Sequence, residues 1–175
     1  LPFDLMIAHP PCTYSATSGL QYLYTEPGRF NKMQDAVDFA RCLFDGAARA
    51  AVVEAPTYHR FARQEAAHMT VTCYDHPWRH GDGYVKPVAF HLRGPLRPLR
   101  ATEEVHGRRK DLRLLPPSAD RGWVKSRTYP GIASAAAVQW TLAIVSQWDK
   151  GAPPCPEVEE WWQAVPRSTP RATAR

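Results

Sequence analysis

The chain has 175 residues, enough for one packed α/β domain with a tail and too few for two comfortable ones. Lys and Arg outnumber Asp and Glu by 22 to 17, with much of the excess between Arg93 and Arg127, which points to an anionic partner meeting one region. Four widely spaced cysteines, at 12, 42, 73 and 155, form no close pair. The start carries no secretory signal, and no apolar run reaches the roughly 20 residues of a membrane span. A reduced, cytoplasmic protein without membrane insertion is expected.

Leu5-Met-Ile-Ala8 is a short apolar run ended by His-Pro-Pro, the pattern of a buried parallel strand that stops where proline removes its amide donor. The chain begins at Leu1 without an initiator Met and enters this strand almost at once, so a truncated, processed or divided N-terminus is expected. From Arg29 to Phe44, Met33, Val37, Ala40 and Phe44 recur at helical spacing with Lys32, Asp35, Asp38 and Arg41 between them. This predicts an amphipathic helix that covers the sheet and stops near Gly46. Ala50 to Pro56 reads as a second buried strand with Glu54 at its carboxyl end, followed by a helix over Tyr58 to Ala67.

Met69 to Tyr74 and Val85 to Leu92 are further strand candidates, the second alternating and, because of Pro87, placed at a sheet edge or given an irregular start. Arg93 to Lys125, rich in Pro and Arg, predicts an extended excursion; Ile132 to Trp148 predicts a closing helix. Residues 149 to 175 read as a mobile tail with a possible anchor at Trp161 and Trp162.

Ligands of open parallel sheets bind outside the carboxyl ends of the strands. Cys12 and Glu54 each fall there, separated by one crossover helix, so thiol and carboxylate are expected at one crevice. An ionised thiol is a strong nucleophile, and a carboxylic acid in a partly apolar pocket can donate a proton; together they suit covalent attack on an electron-poor ring. From spacing alone, Cys12 as a small buried hydrophobe and Glu54 as a capping or ion-paired carboxylate stand equally open. Cys73, His76 and His80 have ligand-like spacing, but no second paired motif accompanies them, so no metal site is expected. Trp123, Trp140 and Trp148 are expected in the core rather than as base-stacking platforms.

His9-Pro-Pro-Cys-Thr-Tyr-Ser-Ala-Thr-Ser-Gly19 resembles the Pro-Cys motif of C5-cytosine DNA methyltransferases, and Val53-Glu-Ala-Pro-Thr-Tyr-His59 resembles the Glu motif of their short phage and prophage members. His76-Pro-Trp78, Lys86, Leu115-Pro-Pro-Ser118 and Ser126-Arg-Thr-Tyr-Pro-Gly-Ile-Ala133, followed by Gln139-Trp140, continue the resemblance in order.

The resemblance implies a partial Rossmann-like methyltransferase fold with a mainly parallel sheet over residues 1–148. It also implies DNA as partner and a bacterial or phage-infected cell. It implies that Cys12 adds to C6 of a flipped cytosine while Glu54 protonates N3, preparing C5 for the methyl group of S-adenosylmethionine. It further assigns Pro11, Lys86 and Arg127 to the substrate, and Pro10, Gly131 and Ser134 to the cofactor.

Three departures accompany the resemblance. The family's glycine-rich cofactor loop precedes the Pro-Cys motif, and only three residues precede Asp4 here, so a partner chain supplying the cofactor half is one expectation. Ala55 replaces the Asn of the Glu motif. Ala16 stands where Ser is usual, with Ser15 as a possible substitute. A non-catalytic DNA-binding remnant is the alternative reading.

Overall fold

The computed structural model describes residues 3–69, 73–106, 110–111 and 115–147. Cys155, Trp148 and the tail with Trp161 and Trp162 lie outside the described residues.

The first strand, β1 (Leu5–Ala8), runs parallel to β2 (Ala50–Ala55), and α1 (Arg29–Asp45) connects them. The helix forms where the apolar periodicity predicts it. Met33, Val37, Ala40 and Phe44 are buried, whereas Asp35 and Asp38 stay in solvent. Its last turn is closed from outside: the Arg93 guanidinium donates to the carbonyls of Phe44, Gly46 and Ala48 at 2.7 to 2.9 Å. A cation at a helix carboxyl end meets both the orphan carbonyls and the helix dipole. Arg93 therefore serves the fold, although it opens the basic stretch of the sequence.

After β2, α2 (Arg60–Glu65) is shorter than the Tyr58 to Ala67 expectation because His59 is its cap. The third strand, β3 (Cys73–Asp75), covers the end of the predicted Met69 to Tyr74 strand; residues 70–72 lie outside the described ones. A 3-10 turn at Pro77–Arg79 follows, then β4 (Tyr84–Val85), β5 (Val88–Arg93) and β6 (Lys110–Asp111), which pairs with β4. Two helices close the described chain: α3 (Arg121–Ser126), inside what reads as an extended excursion, and α4 (Pro130–Val145).

The main sheet has the order β1-β2-β5-β3, and the expectation of a mainly parallel sheet is corrected: β5 runs antiparallel to both of its neighbours. The reason lies in the connection from Asp75 to Val88. It holds the 3-10 turn and β4 but no α-helix, and a parallel return usually crosses over through one. The edge expectation for this strand is corrected too. β5 sits inside the sheet, with Val88, Ala89, Phe90 and His91 all buried. Pro87 stands just before the strand, where its missing amide removes no ladder bond.

Side chains alternate across β2, so one strand feeds two cores. Val53 and Ala55 join Met33, Val37, Ala40 and Phe44 under α1, whereas Ala50 and Val52 join Phe90, Ile132, Trp140 and Ile144 under α4. Trp140 meets Phe90 edge to face at 5.3 Å and donates its indole N–H to the Arg97 carbonyl at 2.9 Å, so the largest core side chain leaves no polar atom stranded. Among the described residues, no helix is long and apolar enough to cross a membrane.

Candidate functional site

The parallel register pairs Leu5 to Ala8 with Ala50 to Val53. Carried one step further, it sets His9 beside Glu54 at the carboxyl ends of β1 and β2. The two side chains meet there: His9 Nδ1 lies 2.7 Å from Glu54 Oε2, with His9 half-exposed and Glu54 mostly covered. The hydrogen bond to Glu54 raises the His9 pKa above its ordinary 6.5; partial burial and the nearby Lys86 charge oppose the shift, and the Glu54 charge reinforces it. The pair thus favours the protonated imidazole more than an isolated histidine would.

Cys12 lies on the loop after β1 and is exposed, which corrects the buried-hydrophobe alternative. Its carbonyl accepts from the amides of Ser15 and Ala16 at 3.2 and 3.0 Å, a tight turn that Ser15, itself buried, reinforces with its hydroxyl. Ser15, rather than the residue at position 16, is therefore the hydroxyl that serves this turn. Gly19 closes the motif for a steric reason: a Cβ there would stand 3.0 Å from the Thr13 carbonyl and 3.4 Å from the Arg29 guanidinium. That space lets Arg29 donate to the Thr13 carbonyl at 3.0 Å while its guanidinium lies over the rings of Tyr14 and Tyr22.

Backbone bonds join this loop to the one after β2. Thr17 N–H donates to the Thr57 carbonyl and His59 N–H to the Ser15 carbonyl, each at 3.0 Å, and the Thr17 hydroxyl adds a bond of 2.7 Å to Thr57. His59 completes the junction from the interior. Its Nδ1 accepts from the Ala62 amide at 3.2 Å, which places the ring proton on Nε2 for donation to the Tyr14 carbonyl at 3.1 Å. One buried imidazole thus caps α2 and holds the Cys12 loop.

The two loops border a cleft of about 370 Å³ lined by His9, Pro10, Pro11, Cys12, Glu54 and Lys86, with Lys125 and Ser126 of α3 on the far side. The Cys12 thiol, the Glu54 carboxylate and the Lys86 ammonium thus line one cleft. Beside the cleft, Tyr58 is buried and stacked on His91 at 5.5 Å. Burial, and then the neighbouring Cys12, push its hydroxyl up to about 12, so it stays a neutral donor at any physiological pH. At Cys73, burial, and then the adjacent Asp75 despite Arg79, push the thiol up to about 11, which suppresses thiolate chemistry there.

Of the remaining assignments, Pro10 alone is among the residues that line the cleft. Arg127 lies over the Trp123 ring at 4.9 Å and borders a separate hollow of about 190 Å³. Trp123 itself is exposed, which corrects its expected place in the core. Of the residues that the resemblance gives to S-adenosylmethionine, Pro10 lines the cleft and Ser134 is exposed on α4. Gly131 is used for packing: a Cβ there would lie 1.7 Å from the His80 carbonyl, so only glycine lets α4 dock on the turn after β3. Gly131 and Ser134 are not among the residues that line the Cys12 cleft.

The His-rich turn is structural. His80, buried, bonds Asp75 at 3.0 Å and Thr102 at 3.1 Å, while Asp75 also takes the His76 amide and Arg79. Among the described residues, no group of three or more His, Cys, Asp or Glu side chains is arranged to hold a metal ion.

Sequence reasoning named Cys12, Glu54, Pro10, Pro11 and Lys86, which line this cleft, and missed His9 and Lys125, which also line it, and Tyr58 beside it. The equal length of the two apolar runs, each followed at once by a titratable residue, is the signal that pairs His9 with Glu54. Nothing local to Lys125 marks it, because α3 reaches the cleft through tertiary docking. No family model, curated protein or solved structure matches the chain.

Proposed function

We propose that the chain is the cytosine-activating part of a DNA cytosine-5 methyltransferase-like protein, built on part of a Rossmann-like fold. The observation that carries the reading is the meeting of an exposed Cys12 with the His9–Glu54 pair and Lys86 in one cleft, at the carboxyl ends of two parallel strands. A cleft of about 370 Å³ suits a single nucleobase.

In this reading a cytosine leaves its stack and enters between the Pro10-Pro11 turn and Lys86. The Cys12 thiolate forms a bond to C6 as the C5–C6 electron pair shifts toward the N3 side of the ring. Glu54 delivers a proton to N3, and His9, hydrogen-bonded to the same carboxyl, holds the proton that replaces it. The product of addition is an enamine, electron-rich at C5. Elimination of the thiolate after C5 reacts and loses its proton restores the aromatic ring. S-adenosylmethionine supplies a methyl group to C5 in such enzymes; the residues around this cleft do not form its site, so no step is routed through it. That mismatch favours a subunit completed by a partner chain as the second reading.

Addition alone makes the C5 hydrogen exchange with solvent, so the test needs no cofactor. A cytosine-containing single strand in deuterated water is expected to gain deuterium at C5 with the wild-type chain and none with Cys12→Ser. Glu54→Gln is expected to slow exchange by about a hundredfold or more, the usual scale for losing a positioned proton donor. Absence of exchange with the wild type, both alone and beside S-adenosylmethionine, together with no covalent adduct on a 5-fluorocytosine strand, overturns the nucleophile assignment.

A further inference from the structure

Trp123 is 64% exposed on α3, two residues before a lysine that lines the Cys12 cleft. A single exposed indole is ordinary on a protein surface; what marks this one is the cations beside it. The Arg127 guanidinium lies over the ring at 4.9 Å. Beyond it, across the hollow of about 190 Å³, Tyr129 and Tyr84 approach at 5.4 Å between ring centres, and the Lys86 ammonium stands 5.6 Å above Tyr129. Lys86 in turn lines the cleft. Trp123, Arg127 and Lys86 thus lead from α3 to the edge of the Cys12 site, with the Tyr129 ring buried beneath Lys86 and Asp82 also bordering the hollow.

We propose that Trp123, with Arg127, is a stacking seat for an unpaired base of a nucleic-acid strand whose nearby nucleotide occupies the Cys12 cleft. The inference rests on the cytosine reading for the occupant of the cleft, and on the surface itself for the strand. A nucleic-acid strand repeats flat rings and phosphate anions, the complement of this row. Duplex DNA hides its ring faces in its own stack; an unpaired base offers one. Lys125 and Lys86 meet phosphates on either side, and the chain's formal charge of +5 draws the strand in. Sequence contributes little here, because every base has a π-face.

The test uses the full chain and a short oligodeoxyadenylate, which contains no cytosine and so cannot report on Cys12 chemistry. Its binding, followed by the fluorescence difference between wild type and Trp123→Phe, is expected to quench the Trp123 signal. Trp123→Ala is expected to weaken binding by roughly tenfold, and Trp123→Tyr to retain most of it. Thermal unfolding of each variant is expected to match wild type, since the ring is exposed. Equal affinity of Trp123→Ala and wild type overturns the seat, as does duplex binding that displaces the single strand without Trp123 dependence. A Trp123 signal that is blue-shifted in the free protein and unmoved by oligonucleotide overturns it too, because another part of the chain or a second copy then covers the ring. So does a response to anionic lipid vesicles without one to oligonucleotide. If C5 exchange fails while Trp123-dependent strand binding holds, the cytosine reading falls and the seat stands. If exchange occurs and Trp123→Ala binds normally, the seat alone falls.

Discussion

The two sides of the Cys12 cleft are held by different means. On one side, the loops after β1 and β2 are joined by backbone bonds between Thr17 and Thr57 and between His59 and Ser15, with a buried imidazole beneath them. On the other, the segment that carries Lys125 reaches the cleft from α3, and its firm attachment comes afterward, where Gly131 meets the His80 carbonyl and donates to Asp82 at 3.3 Å. The first side fixes sulfur and carboxylate relative to each other, as covalent chemistry requires. The second is a docked wall of cations and rings, suited to a long, repetitive partner.

Three substitutions break or sharpen this contrast. The largest effect is expected from Gly131→Val, whose side chain meets the His80 backbone; a loss of about 3 kcal/mol or more should appear in urea unfolding, together with loss of strand binding. A stability loss below about 1 kcal/mol would show that the docked wall hangs on other contacts.

His59→Ala comes next. It leaves the Tyr14 carbonyl and the Ala62 amide without their partner in a buried setting, so about 2 kcal/mol of destabilisation is expected. It should also slow C5 exchange while leaving Trp123-dependent strand binding unchanged, because the Cys12 loop loosens while Lys125 stays in place. Normal exchange in a destabilised His59→Ala protein would mean that the backbone bonds suffice.

The smallest effect is a pH dependence. The His9 pKa is raised in the fold, so its contribution to stability is complete below 6.5 and fades as pH rises through the folded value. The wild-type urea midpoint is expected to fall modestly over that window, and His9→Gln, which keeps a donor for Glu54 without titrating there, should flatten the slope. An unchanged slope would place the titrating group elsewhere.

The positions of Cys12 and Glu54 after two buried apolar runs were legible from local pattern, whereas the roles given to them came only with the resemblance. The helix over Arg29 to Asp45 was legible for the same reason, its buried positions recurring on one face. The direction of β5 was not. Val88 to His91 are covered on both sides, and a strand buried on both faces reads alike in either direction. His91 obscures it further, as a polar residue whose burial depends on stacking with a distant Tyr58. Trp123 misled for a complementary reason: its residue type predicts burial, whereas its exposure follows from how α3 meets the rest of the chain. Gly131 entered only as a residue that the resemblance gives to the cofactor, and the approach of the His80 carbonyl reveals that the glycine is a docking surface.

The joining of the two loops through main-chain atoms separates place from identity. Amide and carbonyl groups of Ser15, Thr17, Thr57 and His59 make the junction, so a change of side chain at Thr13, Ala16 or Thr57 leaves those bonds available. Thr13 and Thr57 line the cleft. What the cleft admits can therefore be rewritten, by mutation or by design, while the sulfur and the carboxylate keep their address.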